Sequence, residues 1–187
     1  MARARSDLTC IEHPELQKLA DFWFSVRGDR LAPPVSEISP DRFQSLLPAI
    51  WMCDVVEDDP DGRFRYRLAG DHIRTAHGGG LKGRTLEQIT DEAARERVVG
   101  YFAMAVDRPA IIHIVGQVFA ESPNPAKGER LILPFFSETE DRVVRLLGAT
   151  LHSWEYERER STTAIPTRQV RTFLPLDGSE PWSEDWL

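Results

Sequence analysis

Five histidines and two cysteines are the residues of this 187-residue chain best suited to metal or nucleophilic chemistry. Their spacing favours neither. A zinc site takes ligands in pairs a few residues apart, whereas His72 and His77 fall off a common helical face and Cys10 and Cys53 each stand alone. No metal site is expected. Cys53 belongs to a strand-like run, away from the electropositive helix termini that favour a thiolate, and no Gly-x-Ser-x-Gly elbow is present. The clustered carboxylates Asp58, Asp59 and Asp61, and Glu155, Glu157 and Glu159, fall in turn-like or charged stretches that read as solvated surface. No catalytic residue is therefore assigned.

The run Gly78 to Thr85 is glycine-rich and ends at a helix start, an arrangement whose backbone amides can cradle a phosphate. It misses the P-loop spacing by one residue and carries Arg84 in place of the final lysine. Its expected role is a helix stop followed by a tight turn, where glycine accepts positive φ. Arg74, Lys82 and Arg84 form the best local cationic cluster and keep an anionic small ligand as a minor alternative.

The elements that position these residues follow from periodicity. Leu16, Leu19, Ala20, Trp23 and Val26 recur at three- and four-residue steps from Pro14 to Arg27, which predicts an amphipathic helix that begins at a proline and ends at Gly28. The proline segment Leu31 to Pro40 is expected to wrap the surface, and Ser39-Pro40 to cap a short helix over Asp41 to Leu47 that Pro48 stops. Ile50 to Val56 and Arg63 to Leu68 read as a hairpin across Asp61-Gly62. Trp51, Cys53, Val55, Phe64, Tyr66 and Leu68 fall on its buried face, and Asp54 on the outer face within reach of Arg65 or Arg67. Short helices are expected near Asp71 to His77 and Thr85 to Ile89, and a longer one from Asp91 to about Arg108. Strands over Ala110 to Ala120, Glu129 to Phe136 and Arg142 to His152 then form an antiparallel meander, with a bulge or unpaired position at Pro134. This divides the chain into a helical lead (1–48), an α+β core with a five-stranded antiparallel sheet and short helices on one face (49–154), and a charged, proline-containing tail (155–187).

Composition narrows the class. Hydrophobic residues at 41% and charged residues at 28% fit a globular domain with a sizeable core. A net charge of −7 argues against nucleic acid or an anionic membrane as the main partner. Two cysteines are too few for a disulfide framework, and neither a signal peptide nor an apolar span is apparent, so a cytoplasmic location is expected.

Several collinear motifs carry a resemblance. They are Trp23-x-x-x-Arg27-Gly28, Ser45-Leu46-Leu47-Pro48, Phe64 to Gly70, Gly79-x-x-x-Gly83-Arg84-Thr85-Leu86 and Leu131-x-Leu133-Pro134. Together with the element order, they make the chain from about Leu16 to Leu151 resemble the PAS domain family, in particular its small bacterial single-domain subgroup. The resemblance implies a cytosolic sensory or protein-interaction module, often dimeric, with a small pocket between the inner sheet face and the helices. Haem-binding members take an axial histidine from the longest helix, and Asp91 to Asp107 contains none. The Asn-Cys-Arg motif of photoactive flavin members is also absent, so haem and flavin are disfavoured and the cofactor stays unknown.

Two functions are expected from different classes. In the first, a small apolar ligand binds among Trp51, Cys53, Tyr66, Leu68, Phe102, Ile112, Ile114, Leu133 and Leu146, with Tyr66 and His72 as polar anchors. In the second, a ligand-free adaptor uses the stripe Leu16, Leu19, Trp23 and Val26 as a homodimer seam or as a dock for a signalling protein. An isomerase or hydrolase cavity is a third reading, and it requires a buried acid–base pair inside the pocket.

Overall fold

Pro14–Arg27 forms helix α1, with proline in its first turn, the His13 ring accepting from the Glu15 N–H at 3.2 Å, and Gly28 leaving the helix at φ 60°. The structure is a computed structural model that describes residues 8–119, 126–153 and 168–186. The first seven residues, most of the expected loop after Ala120, and the carboxylates Glu155, Glu157 and Glu159 lie outside the described residues.

After α1 the proline segment departs from expectation. Ala32, Pro33 and Pro34 are buried, because a proline has no N–H to leave unsatisfied and the Pro33 carbonyl accepts the Phe136 N–H at 2.8 Å. Pro34 makes a parallel bridge to Phe136. A 3-10 turn, Val35–Glu37, follows, and then a longer 3-10 segment, Pro40–Ala49, interrupted at Phe43 and running past Pro48.

Strands β1 (Ile50–Val55) and β2 (Phe64–Ala69) pair antiparallel as the hairpin signal predicts. Asp54 reaches Arg67 at 3.4 Å and, more closely, Arg145 at 2.7 Å, while Arg65 turns to Asp59 in the connecting loop. Helices α2 (Asp71–Ala76), α3 (Leu86–Ile89) and α4 (Glu92–Asp107) follow. Thr85 and Gln88 form a capping box on α3, and Asp91 caps α4 through the Ala93 N–H. The glycine run acts as a stop and a turn, with Gly78 at φ 71° and Gly83 at φ 84°.

Strands β3 (Ala110–Val118), β4 (Ala126–Phe136) and β5 (Val143–Ser153) make the expected meander. Pro134 sits beyond Ile132, the last residue of β4 that pairs with β3, and the irregularity falls one step later at Phe135/Phe136. The α+β class holds, but the strand count rises from five to seven. β6 (Gln169–Pro175) pairs along β3 and β7 (Trp182–Trp186) pairs along β6, giving the order β2-β1-β5-β4-β3-β6-β7. The tail is thus in part structural: β6 satisfies the second edge of the apolar strand β3, and Phe173 stacks on Trp182 at 4.9 Å.

Neighbouring residues of β4 mark the two covered faces of the sheet. Arg130 bonds Tyr101 of α4, whereas Glu129 accepts N–H groups of Glu12 and His13 at the start of α1. Helix α4 therefore lies on one face and the lead on the other. No helix among the described residues is long and apolar enough to cross a membrane.

Because Phe173 is fully buried in β6, Phe173→Ala is expected to destabilise the whole fold by about 3–5 kcal/mol. Urea denaturation followed by circular dichroism measures this. An unchanged midpoint would mean that β6 is not part of the cooperative unit.

Candidate functional site

The face under α4 gathers most of the side chains expected to line a pocket. Trp51, Cys53, Tyr66, Phe102, Ile112, Ile114 and Leu146 are all buried, and the aromatic members touch. Trp51 stacks on Phe102 at 5.3 Å, Tyr66 lies 6.2 Å from Trp51, and Phe64 meets Phe102 edge-on at 5.4 Å. Gly148 lies opposite Trp51 and leaves the space that the indole occupies; a Cβ there would stand 2.1 Å from the ring.

Two expected members are elsewhere. Leu68 is 38% exposed, because a bulge on β2 pairs it with Met52 while Tyr66 pairs with Cys53. The extra residue, Arg67, turns the side chain to the outer face. Leu133 is buried but faces the lead, since it alternates with Ile132, which pairs with Ile112 and Gly148 on the α4 face. His72 is exposed on α2, with its ring 5.9 Å from that of His152.

The helix stripe also needs correction as a seam. Leu16, Leu19 and Trp23 are completely buried within the chain, the Trp23 indole donates to the Pro134 carbonyl at 2.9 Å, and Val26 is half-buried. These side chains are already committed to the chain's own core, so the stripe is not open to a partner.

A polar network on the α4 face escapes a reading based on apolar positions. Thr150, fully buried on β5, accepts from the Trp51 indole at 3.1 Å and from Arg130 Nε at 2.9 Å. A terminal nitrogen of Arg130 donates to the Tyr101 hydroxyl of α4 at 3.1 Å, and its guanidinium lies 5.4 Å from the Phe119 ring centre. The guanidinium of Arg171 on β6 lies 4.6 Å from the Tyr101 ring centre and 4.8 Å from that of Trp186, with Nε donating to Gln169 at 2.6 Å. Burial lowers the Arg171 pKa from its ordinary value, yet a guanidinium remains charged at neutral pH. The sequence signal for this network is the alternation of β4: placing Ile132 inward places Arg130 inward with it.

On the opposite face Glu129 accepts from the backbone of Glu12 and His13, both at 2.9 Å, and contacts His113 Nε2 at 2.6 Å. Burial drives the His113 pKa below its ordinary 6.5, outweighing the opposing pull of Glu129 and Glu12. A neutral imidazole donating from Nε2 to the carboxylate fits both facts. Burial also pushes the Cys53 thiol well above its usual range, so it is no thiolate. Of the expected cationic cluster, Arg74 pairs with Asp71 at 2.7 Å, Arg84 donates to the Gln88 carbonyl at 3.1 Å, and Lys82 is exposed. Among the described residues no group of three or more His, Cys, Asp or Glu side chains is arranged to hold a metal ion.

A family model described as PAS domain matches residues 11–151. No curated protein and no solved structure matches the chain.

Two outcomes follow from this geometry. Gly148→Ala should push the Trp51 ring out of its stack and break its bond to Thr150, destabilising the fold by about 1–3 kcal/mol through overpacking. Tryptophan fluorescence and urea denaturation read both effects. For His113, the unfolded chain takes up the proton at a higher pH than the folded chain does. Its contribution to stability is therefore complete above about 6.5 and declines as pH falls through that value towards the folded pKa. Denaturation midpoints across that window should fall more steeply for the wild type than for His113→Gln, and equal slopes would exclude the assignment.

Proposed function

Because the chain belongs to the PAS domain family, we propose that it is a non-catalytic sensory module whose α4-facing sheet surface responds to a small ligand and passes that state to a signalling protein or a second copy of the chain. The family's members are sensory or interaction modules. The observation that carries the ligand reading is Arg130: a charged guanidinium, 4% exposed, bonded to Thr150 of the sheet and Tyr101 of α4 beside the Trp51–Phe102 stack.

Burying a charge costs several kcal/mol even when it is paired, and an apolar replacement is often at least as stable, so packing alone gives little reason for an arginine here. A site that combines an apolar wall with a few convergent donors suits a mostly apolar ligand bearing one polar group. Such a group accepting from Arg130 competes with Tyr101 or Thr150 for the same donor. Loosening that link changes how α4 sits on the sheet and shifts the population between two arrangements.

A ligand-free adaptor is the second reading, favoured by the direct contact of Trp51 and Phe102 across the region a ligand would enter. Such an adaptor would use a surface other than the buried stripe of α1. The enzymatic reading loses support, because the buried His113–Glu129 pair lies on the face away from the expected pocket.

Native mass spectrometry of the purified full chain is expected to find a retained small molecule, and adding it back should raise the melting temperature. Tyr101→Phe should reduce that stabilisation and Arg130→Met should remove most of it, with little change in the melting point of the empty protein for Tyr101→Phe. Empty protein in every preparation, or equal stabilisation of all three chains, would favour the adaptor.

A further inference from the structure

A concave surface lies at the far end of the same sheet face, where α4 passes over β6 and β7. It is a cleft of about 430 Å³, a size at which small-molecule sites begin. Three of its walls, Arg171, Glu184 and Trp186, come from beyond residue 151, outside the span that the family model matches. The opposite wall is α4, through Arg97, Gly100 and Tyr101 among others.

We infer that this cleft is a binding site for a monocarboxylate with an apolar, ring-sized body. Arg171 provides the first argument. It is 3% exposed, its guanidinium carbon lies 4.6 Å from the Tyr101 ring centre and 4.8 Å from that of Trp186, and Nε is engaged by Gln169, yet neither terminal nitrogen has a hydrogen-bond partner among the described residues. Those two nitrogens form the edge that pairs with a carboxylate through parallel hydrogen bonds. Arg97 adds a second guanidinium with an unfilled donor, this time at Nε. Its guanidinium lies 5.5 Å from the Trp186 ring centre, and its Nε is buried without a partner.

Gly100 provides an independent argument. A glycine in the middle of a helix weakens it relative to alanine, and here a Cβ would meet nothing within 4 Å. Packing therefore does not require glycine; the missing side chain leaves room against Trp186 and Tyr101 for a flat apolar body. Charge selects the headgroup. Glu96 and Glu184 line the cleft alongside Arg97 and Arg171, so two negative charges balance two positive ones. A singly charged carboxylate suits that balance better than a phosphate, which brings more charge towards the two glutamates.

This site does not rest on the ligand reading of the Arg130 region, and its test uses different residues. The full chain is titrated with 3-phenylpropionate, with the uncharged 3-phenylpropionamide, and with inorganic phosphate, using calorimetry and the indole N–H signals in 1H–15N spectra. Saturable binding of the carboxylate at millimolar concentration is expected, with movement of the Trp186 indole signal and about tenfold or weaker binding of the amide. Gly100→Leu should fill the cleft and abolish binding while leaving the melting temperature unchanged or higher. Arg171→Gln should weaken binding at least as much as the amide does, and Glu184→Gln should tighten it. Equal binding of carboxylate and amide, preferential binding of phosphate, full binding by Gly100→Leu, or no binding of the carboxylate at all would each overturn the proposal.

Discussion

The central strand β4 carries two adjacent charged residues, and both are buried. Glu129 and Arg130 point to opposite faces because side chains alternate along a strand, so each must be satisfied by a different layer. Glu129 is satisfied by His113 and by the two N–H groups at the entry to α1. Arg130 is held by Thr150 and Tyr101. One dipeptide thus fixes the lead on one side of the sheet and the longest helix on the other. A shift of β4 by a single residue would exchange the two charges and leave both in the wrong surroundings.

From Arg130 the polar chemistry continues along the α4 face. Tyr101 accepts from Arg130 and stacks on Arg171, which in turn lies against Trp186. Three basic or phenolic side chains and their aromatic neighbours therefore link β5, β4, α4, β6 and β7 in one row beside the Trp51–Phe102–Phe64 cluster. The apolar end resembles ordinary core. At the other end the guanidinium groups of Arg97 and Arg171 lie against aromatic rings, and the terminal nitrogens of Arg171 keep their hydrogen-bonding capacity, which suits recognition better than packing.

Local signals make most of the elements legible in the sequence. The proline start and glycine stop of α1 and the Asp61-Gly62 hairpin act within a few residues of chain, as do the Thr85 capping box and the Asp91 cap that the structure adds. Candidate site residues were legible where strict alternation met no interruption, as at Trp51, Cys53 and Tyr66. Leu68 was lost because a bulge inserts one residue without any composition signal. Leu133 was lost because β4 is apolar on both faces between Leu131 and Phe136, so alternation cannot say which face is which. The tail strands were missed for a related reason: β7, with Ser183, Glu184 and Asp185, has too few apolar residues to announce itself, and it forms by pairing with β6.

What the sequence alone determined is the set of local elements from α1 to β5, their order and the family that this order resembles, since periodicity and turns depend on near neighbours. Only the tertiary structure decided which side of β4 faces α4, that the α1 stripe is buried within its own chain, and that the tail completes the sheet. Those outcomes depend on pairing between residues distant in the chain: Glu129 with His13, Trp23 with Pro134, and Ile114 with Arg171. Burial and register are properties of such pairs, and no window of sequence contains both partners.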